Sequence, residues 1–478
     1  MRVPLGDFKP DVAETDTDVV PVASNVLPGP NCYYPARAGV AVSAALAEAP
    51  RGLYLAQRQD GSFVPYAGDP DQLFVFNQGT SVFDSIGSGY SLTADHLWSM
   101  RQFGTTLIAT NINNVPQKAN IETAGAASAL GGSPPKARNV AVVDDYVVLA
   151  GLFDDPFALQ WSATNDAEGW TPGTGNSDIQ SFPDGGRVMG VADAARVVVQ
   201  EQLLRRMIPT PGGSSGPFQF EKIDDSHGTI APYSIIPYGS SVAYLAQDDF
   251  YFANEPIGRD SITDWFFARA NDERLFSVLG AFDPAKPYFY FAYRTGATPH
   301  YDEILVYNWR RKRWAGPLSL TTYAIAAMAS PGYTLEGLDA PYPDIDTLVP
   351  ASLDSSLWLG GRPAFGIIDA DFKLAFTEGA TLAATFETAE RELIPGYRAT
   401  TSGVRPFVDS AAATIAVGTR ERFGDARVWA AAGAQTRTGL CPVKSGGRLH
   451  RFRLETPAGA EWTKAEGLDA MFYRAGRR

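Results

Sequence analysis

The residues with the clearest capacity for binding chemistry lie in one short segment, residues 309–314, where four consecutive cationic side chains stand between two tryptophans. Cations beside aromatic rings suit contacts with phosphates and stacked bases. In a chain of net charge −13 the favoured interpretation is a solvated hairpin turn. The favoured binding role is a salt-bridged contact with an acidic neighbouring subunit or partner. The four residues are Arg310, Arg311, Lys312 and Arg313.

Other residue types that carry chemistry are scattered along the chain. The four histidines lack the spacing of a metal site, and the two cysteines, Cys32 and Cys441, lie almost a chain length apart. No nucleophile elbow, Walker loop, zinc-protease motif or dinucleotide-binding glycine motif is present. We therefore name no catalytic, cofactor-binding or metal-binding residue, and we predict that the protein is not an enzyme and uses no cofactor.

One segment resembles a known sugar-hydrolase feature. Residues 162–171, SATNDAEGWT, are similar to the Asp box of sialidase propellers, Ser-x-Asp-x-Gly-x-x-Trp, but their spacing differs and the segment occurs once. In sialidases this box is a structural turn, whereas catalysis requires an arginine cluster and a Tyr/Glu pair. A carbohydrate-binding or sialidase-like β-propeller is the alternative function that this segment leaves open.

Length and composition indicate the framework that must position these residues. A chain of 478 residues is long enough for two or three domains. Its 46 Gly and 34 Pro, with only 19% charged residues, are typical of a turn-rich β protein, and its acidity argues against tight binding of nucleic acid. No apolar run approaches the ~20 residues that span a bilayer, so we expect a cytosolically made protein without stable membrane insertion.

A repeated hairpin pattern predicts the fold class, which is mainly β. Two apolar runs around a turn rich in Asp, Gly or Ser recur with starts at residues 53, 98, 140, 188, 234, 276 and 323. Steps near 45 residues match one four-stranded propeller blade, so the pattern predicts a β-propeller of six or seven blades. A pair of β-sandwiches is the alternative. One short helix is predicted near residues 261–266, with Ser261 as its cap.

The end of the repeat defines three regions. Residues 1–50 are expected to form an N-terminal platform or extended segment, residues 51–379 the β-propeller, and residues 380–478 a C-terminal β-rich platform domain. Strand-like segments in the last region are predicted at residues 381–386, 413–417, 427–431 and 449–454. Residues 331–356 are predicted to be a longer insertion.

Several segments together resemble one protein family. They are residues 28–35 (PGPNCYYP), 103–111 (FGTTLIATN), 134–138 (PPKAR), 160–162 (QWS), 181–186 (SFPDGG) and 446–453 (GGRLHRFR). These segments are similar to the nozzle proteins of short-tailed, podovirus-type phages, also called tail tubular protein B or the packaged-DNA stabilisation class. The resemblance extends over most of the chain, but none of its segments is a catalytic motif.

The resemblance implies a structural virion component. Family members form a homo-hexameric ring below the head–tail adaptor ring, where double-stranded DNA passes transiently through the central channel during retention and ejection of the genome. Tail fibres and a distal plug or needle protein are the further partners that it implies. The expected location is the virion tail, with assembly in the host cytoplasm. The family fold is a propeller joined to a platform built from both chain ends. An acidic channel lining would repel DNA phosphates, although the sequence does not identify the channel residues.

Overall fold

The computed structural model describes residues 1–93, 95–210, 216–330 and 361–475, and within them the chain is mainly β. Seven four-stranded antiparallel blades surround one central cavity that is lined by the first strand of every blade; six of them are separate sheets, and blade 6 is part of an eleven-stranded sheet. The first strands of blades 7 and 1 lie side by side and close the ring. The fold is therefore a seven-bladed β-propeller, which confirms the predicted class and excludes the pair of sandwiches.

The strands of each blade follow one another from the centre outward in chain order, with one exception in blade 7. Blades 1 to 3 contain Leu53–Gln57, Phe63–Gly68, Gln72–Asn77 and Val82–Ser88; Ser99–Phe103, Thr106–Thr110, Gln117–Asn120 and Ser128–Ala129; and Ala137–Val143, Tyr146–Leu152, Ala158–Trp161 and Asp178–Ser181. Blades 4 and 5 contain Val188–Ala192, Val197–Gln200, Leu204–Pro209 and Phe218–Asp224; and Ile236–Tyr238, Ser241–Leu245, Phe250–Phe252 and Glu255–Pro256. Blades 6 and 7 contain Leu279–Phe282, Tyr288–Tyr293, Glu303–Asn308 and Arg313–Leu318; and Ala324–Ala329, Pro363–Ile368, Leu374–Phe376 and Val40–Ala41.

The second strand of each blade is largely apolar on both faces because each blade packs between two neighbours. Tyr288–Tyr293 and Glu303–Asn308 in blade 6 are buried at every position. Each predicted hairpin start falls at or within four residues of the first strand of a blade. The predicted insertion at residues 331–356 lies outside the described residues.

Blade 7 is closed by a strand from the N-terminal region. Val40 and Ala41 pair with Phe376 and Ala375, and the Leu374 amide donates a hydrogen bond of 2.8 Å to the Ser43 hydroxyl. The boundary predicted at residue 50 therefore divides blade 7. The boundary predicted between residues 379 and 380 falls between this blade and the next strand, Ala384–Glu387.

Strands from both chain ends form the platform. One platform sheet contains, in order, Ser445–Gly447, Ala399–Val408, Ala465–Arg474, Tyr33–Pro35 and Val26–Pro28, and Arg2–Pro4 also pairs with Ala465–Arg474. The other sheet continues blade 6 outward through Val22–Ser24, Ala384–Glu387, Leu449–Thr456, Thr414–Arg420 and Val428–Trp429, with Arg391–Glu392 and Gly433–Ala434 at its side. Asp7–Phe8 and Val19–Val20 form a small parallel pair.

The junction of blade 6 with the platform is held by Asn25. Its backbone amide donates to Pro317 O, its side-chain amide donates to Ala383 O, and its side-chain oxygen accepts from the Ser319 amide. A single apolar core also extends from blades 5 and 6 into the platform, including Phe250, Phe291 and Phe386. The propeller and the platform therefore share one continuous sheet and one core.

Helical structure is limited to Thr263–Arg269 and to the 3₁₀ segments Pro232–Ser234 and Asp272–Ser277 among the described residues. The helix forms where it was predicted, but Ser261 does not cap it. The Asp11 carboxylate instead accepts hydrogen bonds from the Asp264 and Trp265 amides, at 2.9 and 2.8 Å. The N-terminal segment thus caps a helix that follows blade 5, which sequence spacing could not show.

One buried histidine makes the stability of the platform depend on pH. His450, in the strand Leu449–Thr456, is fully buried, and its ring lies beside the backbone of Ala399 and Arg448, whose effect on the imidazolium is weaker than that of burial. Burial penalises the charged imidazolium and lowers the pKa of His450 to about 4. Because the unfolded chain binds this proton near pH 6.5, the folded state loses stability as the pH falls from that value towards 4.

We predict that His450→Gln flattens this pH dependence. The wild-type free energy of unfolding should fall by up to about 3 kcal/mol between pH 6.5 and pH 4 from this residue alone, and the variant should lack that contribution whatever its stability at neutral pH. Urea unfolding at four or five pH values measures the slope. Equal slopes for wild type and His450→Gln would contradict the prediction.

Candidate functional site

The predicted cationic segment forms the turn between the third and fourth strands of blade 6. Arg310, Arg311 and Lys312 are exposed, and Lys312 reaches Glu255 at 3.6 Å. Trp314 is buried, and its indole nitrogen donates to Ile257 O at 2.6 Å, so it is not free to stack on a base. The partner contact predicted for the three exposed cations stays a prediction.

Arg313 differs from the other three cations because its side chain is buried and its partners belong to the same chain. Its side chain pairs with Asp7 at 2.5 Å and donates hydrogen bonds to Gly29 O and Gly6 O, at 2.5 and 3.1 Å. Its guanidinium also lies over the Tyr33 ring, 5.0 Å from the ring centre. The predicted partner role is therefore corrected for Arg313, whose partners are backbone and side-chain groups of the N-terminal segment.

The second site is the centre of the propeller, which we call the hub. Its main cavity has a volume of about 580 Å³ and is lined by the first strands of all seven blades. We call the face at which these first strands begin the front face. Loops that precede each first strand and loops that join second to third strands meet there, because successive strands alternate in direction. The turn that contains Arg310–Lys312 lies on the opposite, back face.

Three arginines surround one carboxylate in a smaller front-face cavity of about 160 Å³. Asp95 pairs with Arg274 and, at 2.5 Å, with Arg294. Arg51 donates hydrogen bonds of 3.0 and 2.8 Å to Leu92 O and Thr93 O, which fix its direction. Burial lowers the pKa of Arg51, and neighbouring Arg294 lowers it further, against the opposing effect of Asp95.

A fourth arginine lines the main cavity. Arg138 is 8% exposed, and its guanidinium lies over the Phe276 ring, 5.2 Å from the ring centre. The His96 ring packs edge-on against the same phenylalanine, and its Nδ1 lies 3.3 Å from the Tyr233 hydroxyl. Burial and the charges of Arg138 and Arg51 lower the pKa of His96, against the opposing effect of Asp95.

The hub is positive although the propeller around it is acidic. Residues 36–379 contain 23 Lys and Arg against 38 Asp and Glu, whereas the platform residues, 1–35 and 380–478, contain 17 against 15. The described residues that line the two hub cavities include five arginines and two aspartates, which are Arg51, Arg101, Arg138, Arg274, Arg294, Asp95 and Asp193. The hub is thus a local reversal of charge inside an acidic domain.

Sequence reasoning missed the hub arginines because they are far apart in the chain. A signal was nevertheless present in the repeat. Arg51, Arg138 and Arg274 each stand two residues before a hairpin start, at 53, 140 and 276. Residues at the same position of successive repeats lie at the same end of the first strands, and for these three arginines that end is the front face of the hub. A comparison of charged residues at the same position of each repeat would have identified these three arginines.

The Asp-box-like segment does not contribute to the hub. It lies in the back-face loop between the third and fourth strands of blade 3, where Ser162 and Trp170 are buried. The Val147 amide donates to the Ser162 hydroxyl, and the Trp170 indole nitrogen donates to Ala167 O. These contacts make the segment a structural turn.

Across the described ranges, no group of three His, Cys, Asp or Glu residues has the arrangement of a metal site. Within the same part of the chain, no helix is long and apolar enough to cross a bilayer. Cys32 and Cys441 are both buried free thiols.

Comparisons with known proteins extend no further than remote fold similarity. No protein-family model matches the chain, and no curated protein matches it. The β-propeller domain of Myceliophteria thermophila Cps50 (Swd1) aligns at 10% identity over 60% of this chain and 92% of that domain, with a TM-score of 0.37. A chain of the mitotic checkpoint complex aligns at 9% identity over 73% of this chain and 97% of its own length, with a TM-score of 0.39. Scores this low carry no argument, so the propeller assignment rests on the sheet topology.

We predict that Arg313→Met destabilises the protein and that Arg311→Met does not. Removing the buried Arg313 leaves two backbone carbonyls and the partly exposed Asp7 without their cation, which should lower the free energy of unfolding by about 1–3 kcal/mol. The exposed Arg311, two residues away, should change it by less than about 0.5 kcal/mol. Thermal and urea unfolding of both variants test the difference. Similar stabilities would show that Arg313 does not hold the N-terminal segment.

Proposed function

We propose that this chain is the ring-forming nozzle subunit of a short-tailed phage tail. Six copies would surround the DNA exit channel below the head–tail adaptor ring and gate the passage of double-stranded DNA during genome retention and ejection. The proposal starts from the resemblance of the six sequence segments described above. In this role the protein is a structural component of the virion tail and catalyses no reaction.

The observation that supports the proposal most is the division of the chain into a propeller and a platform built from both chain ends. This is the arrangement that the resemblance implies. Residues 28–35, which carry part of the resemblance, include the platform strand Tyr33–Pro35 and lie against blade 6. Pro28 O accepts hydrogen bonds from the Tyr288 hydroxyl and the Asn308 side-chain amide, at 3.3 and 2.8 Å. The resembling residues are thus part of the junction between the two parts.

The distribution of charge supports a particular packing of the ring. A six-fold ring requires head-to-tail interfaces in which two different surfaces of neighbouring copies meet. Two acidic propeller surfaces would repel each other, whereas the nearly neutral platform can approach an acidic neighbour. The exposed cations Arg310, Arg311 and Lys312, on blade 6, are suited to face the propeller of the next copy. Acidic surface turned towards the channel would let DNA slide without binding.

The first test is the mass and symmetry of the purified full chain. We expect mass photometry to find particles of six times the 51.4 kDa chain mass, and negative-stain electron microscopy to find six-fold rings with a central hole, formed alone or on an added adaptor ring. The alternative function, a carbohydrate-binding or sialidase-like propeller, predicts monomers that ignore the adaptor and bind or cleave a glycan. That result would overturn the nozzle proposal.

A charge-reversal pair tests the predicted interface. Arg311→Glu should weaken ring assembly by at least about tenfold in the concentration required, because it places a carboxylate against an acidic neighbour. Arg206→Glu, an equal change of charge at an exposed position of blade 4, should assemble as the wild type does. The measurement is the ring fraction against protein concentration at low and high salt. Equal assembly of both variants would remove the cationic turn from the interface.

A further inference from the structure

The front-face cavity contains more positive charge than its own carboxylate neutralises. Among the described residues, Asp95 is the one acidic residue in its lining, against Arg51, Arg274 and Arg294. The side chain of Arg294 is 7% exposed and that of Arg274 is 28% exposed, so water screens these charges only in part. Like charges gathered in a poorly hydrated cavity are unfavourable unless an anion joins them. This arrangement therefore favours occupation by an external anion.

Unpartnered donor atoms point to the same conclusion. Arg294 Nε is buried without a hydrogen-bond partner in the described part of the chain, although the rest of this guanidinium binds Asp95 and Pro299 O. Arg138, in the adjoining cavity, has two such atoms, Nε and Nη1, and no ion-pair partner among the described residues. Buried polar groups in folded proteins are nearly always hydrogen-bonded, so these donors indicate a missing acceptor.

We propose that the hub binds a compact oxyanion, a carboxylate or phosphate group of a small molecule, between Arg51, Arg274 and Arg294. Guanidinium groups bind both oxyanions through paired, charge-assisted hydrogen bonds. Arg138 adds positive potential from the wall of the main cavity, which shares Leu97 and Tyr323 with the smaller one. The site is independent of the proposed nozzle role and would exist in a single copy of the chain.

The size and surroundings of the cavity limit the ligand. A volume of about 160 Å³, walled by Ala49, Pro50, Ala297 and Pro299, accommodates a small group but not a polymer strand. The acidic propeller around the hub would also repel a polyanion such as nucleic acid. The main cavity beside it offers room for an uncharged remainder of the ligand.

Asp95 provides a sharp test because it competes with the ligand. Its backbone has φ +66°, a conformation that asparagine adopts readily, so Asp95→Asn keeps the shape of the loop while removing the internal anion. This variant should bind an external anion at least about tenfold more tightly than the wild type. A variant that is merely destabilised or misfolded would bind the anion more weakly, so tighter binding by Asp95→Asn is specific evidence for the proposed site.

Arg51→Gln is the complementary variant. Arg51 is half-buried, makes two hydrogen bonds to carbonyls and has no direct ion pair within the described part of the chain, so its loss should leave the fold intact. Affinity for the anion should fall by about tenfold or more. Arg206→Gln, an equal loss of charge on the exposed side of blade 4, is the matched control and should bind as the wild type does.

The experiment is isothermal titration of the full chain with inorganic phosphate, glucuronate and glucose at low ionic strength, with thermal unfolding as the check of folding. We expect phosphate or glucuronate to bind and glucose not to bind, and the stronger of the two anions identifies the source of the oxyanion. No binding of either anion, equal affinity for glucose, or the same affinity in wild type, Asp95→Asn and Arg51→Gln would each overturn the proposal. Measuring the ring fraction of the same samples separates this result from the nozzle test, since Arg51→Gln should assemble normally.

Discussion

Closure of the blade ring is the constraint on which the rest of the structure depends. A four-stranded blade with apolar residues on both faces is stable only between two neighbours, so the seventh blade must meet the first. The first strands of the two blades make that contact, and the outer strand of blade 7, Val40–Ala41, comes from the opposite end of the propeller sequence. The N-terminal region therefore contributes a strand to the propeller, and a domain boundary at residue 50 does not separate this region from the propeller.

The same N-terminal region also binds the platform to blade 6. Asn25 connects three backbone segments, and Arg313 connects blade 6 to Asp7, Gly6 and Gly29. With a sheet that continues from blade 6 into Ala384–Glu387, this leaves little freedom for relative motion of propeller and platform. In a ring subunit such a junction would transmit a load from one part to the other without a flexible linker.

The propeller was predictable from sequence because its inner hairpins are regular. Runs such as VAVVDDYVVLAG combine β-branched residues with a tight turn, and they recur at near-constant spacing. The closing strand was not predictable, since two residues carry no period. The two long platform strands were also missed. Ala399–Val408 has bulges between Thr401 and Gly403 and between Phe407 and Val408, which break the alternation that identifies a strand.

For the candidate sites, a local pattern in the sequence was a poor guide to which side chains lie together in the structure. Four adjacent cations at 310–313 form an obvious local pattern, yet the fold separates Arg313 from the rest by burying it. The hub arginines have no local pattern, yet the fold gathers them because a propeller brings equal positions of its repeat to one centre. The position of a charged residue within the repeat was thus a better guide to charges that lie together in the structure than adjacency in the sequence.

The closing strand of blade 7 also bears on how a ribosome can make this protein. Residues 40 and 41 leave the exit tunnel more than 330 residues before their partners, 375 and 376, and at about 5–20 residues per second the delay is about 20–70 s. During translation six blades can form while the ring stays open and the strand stays unpaired. Because that strand has only two residues, it offers other nascent chains little edge to pair with. A short closing strand thus limits aggregation of the unfinished chain while the strand waits for its partners.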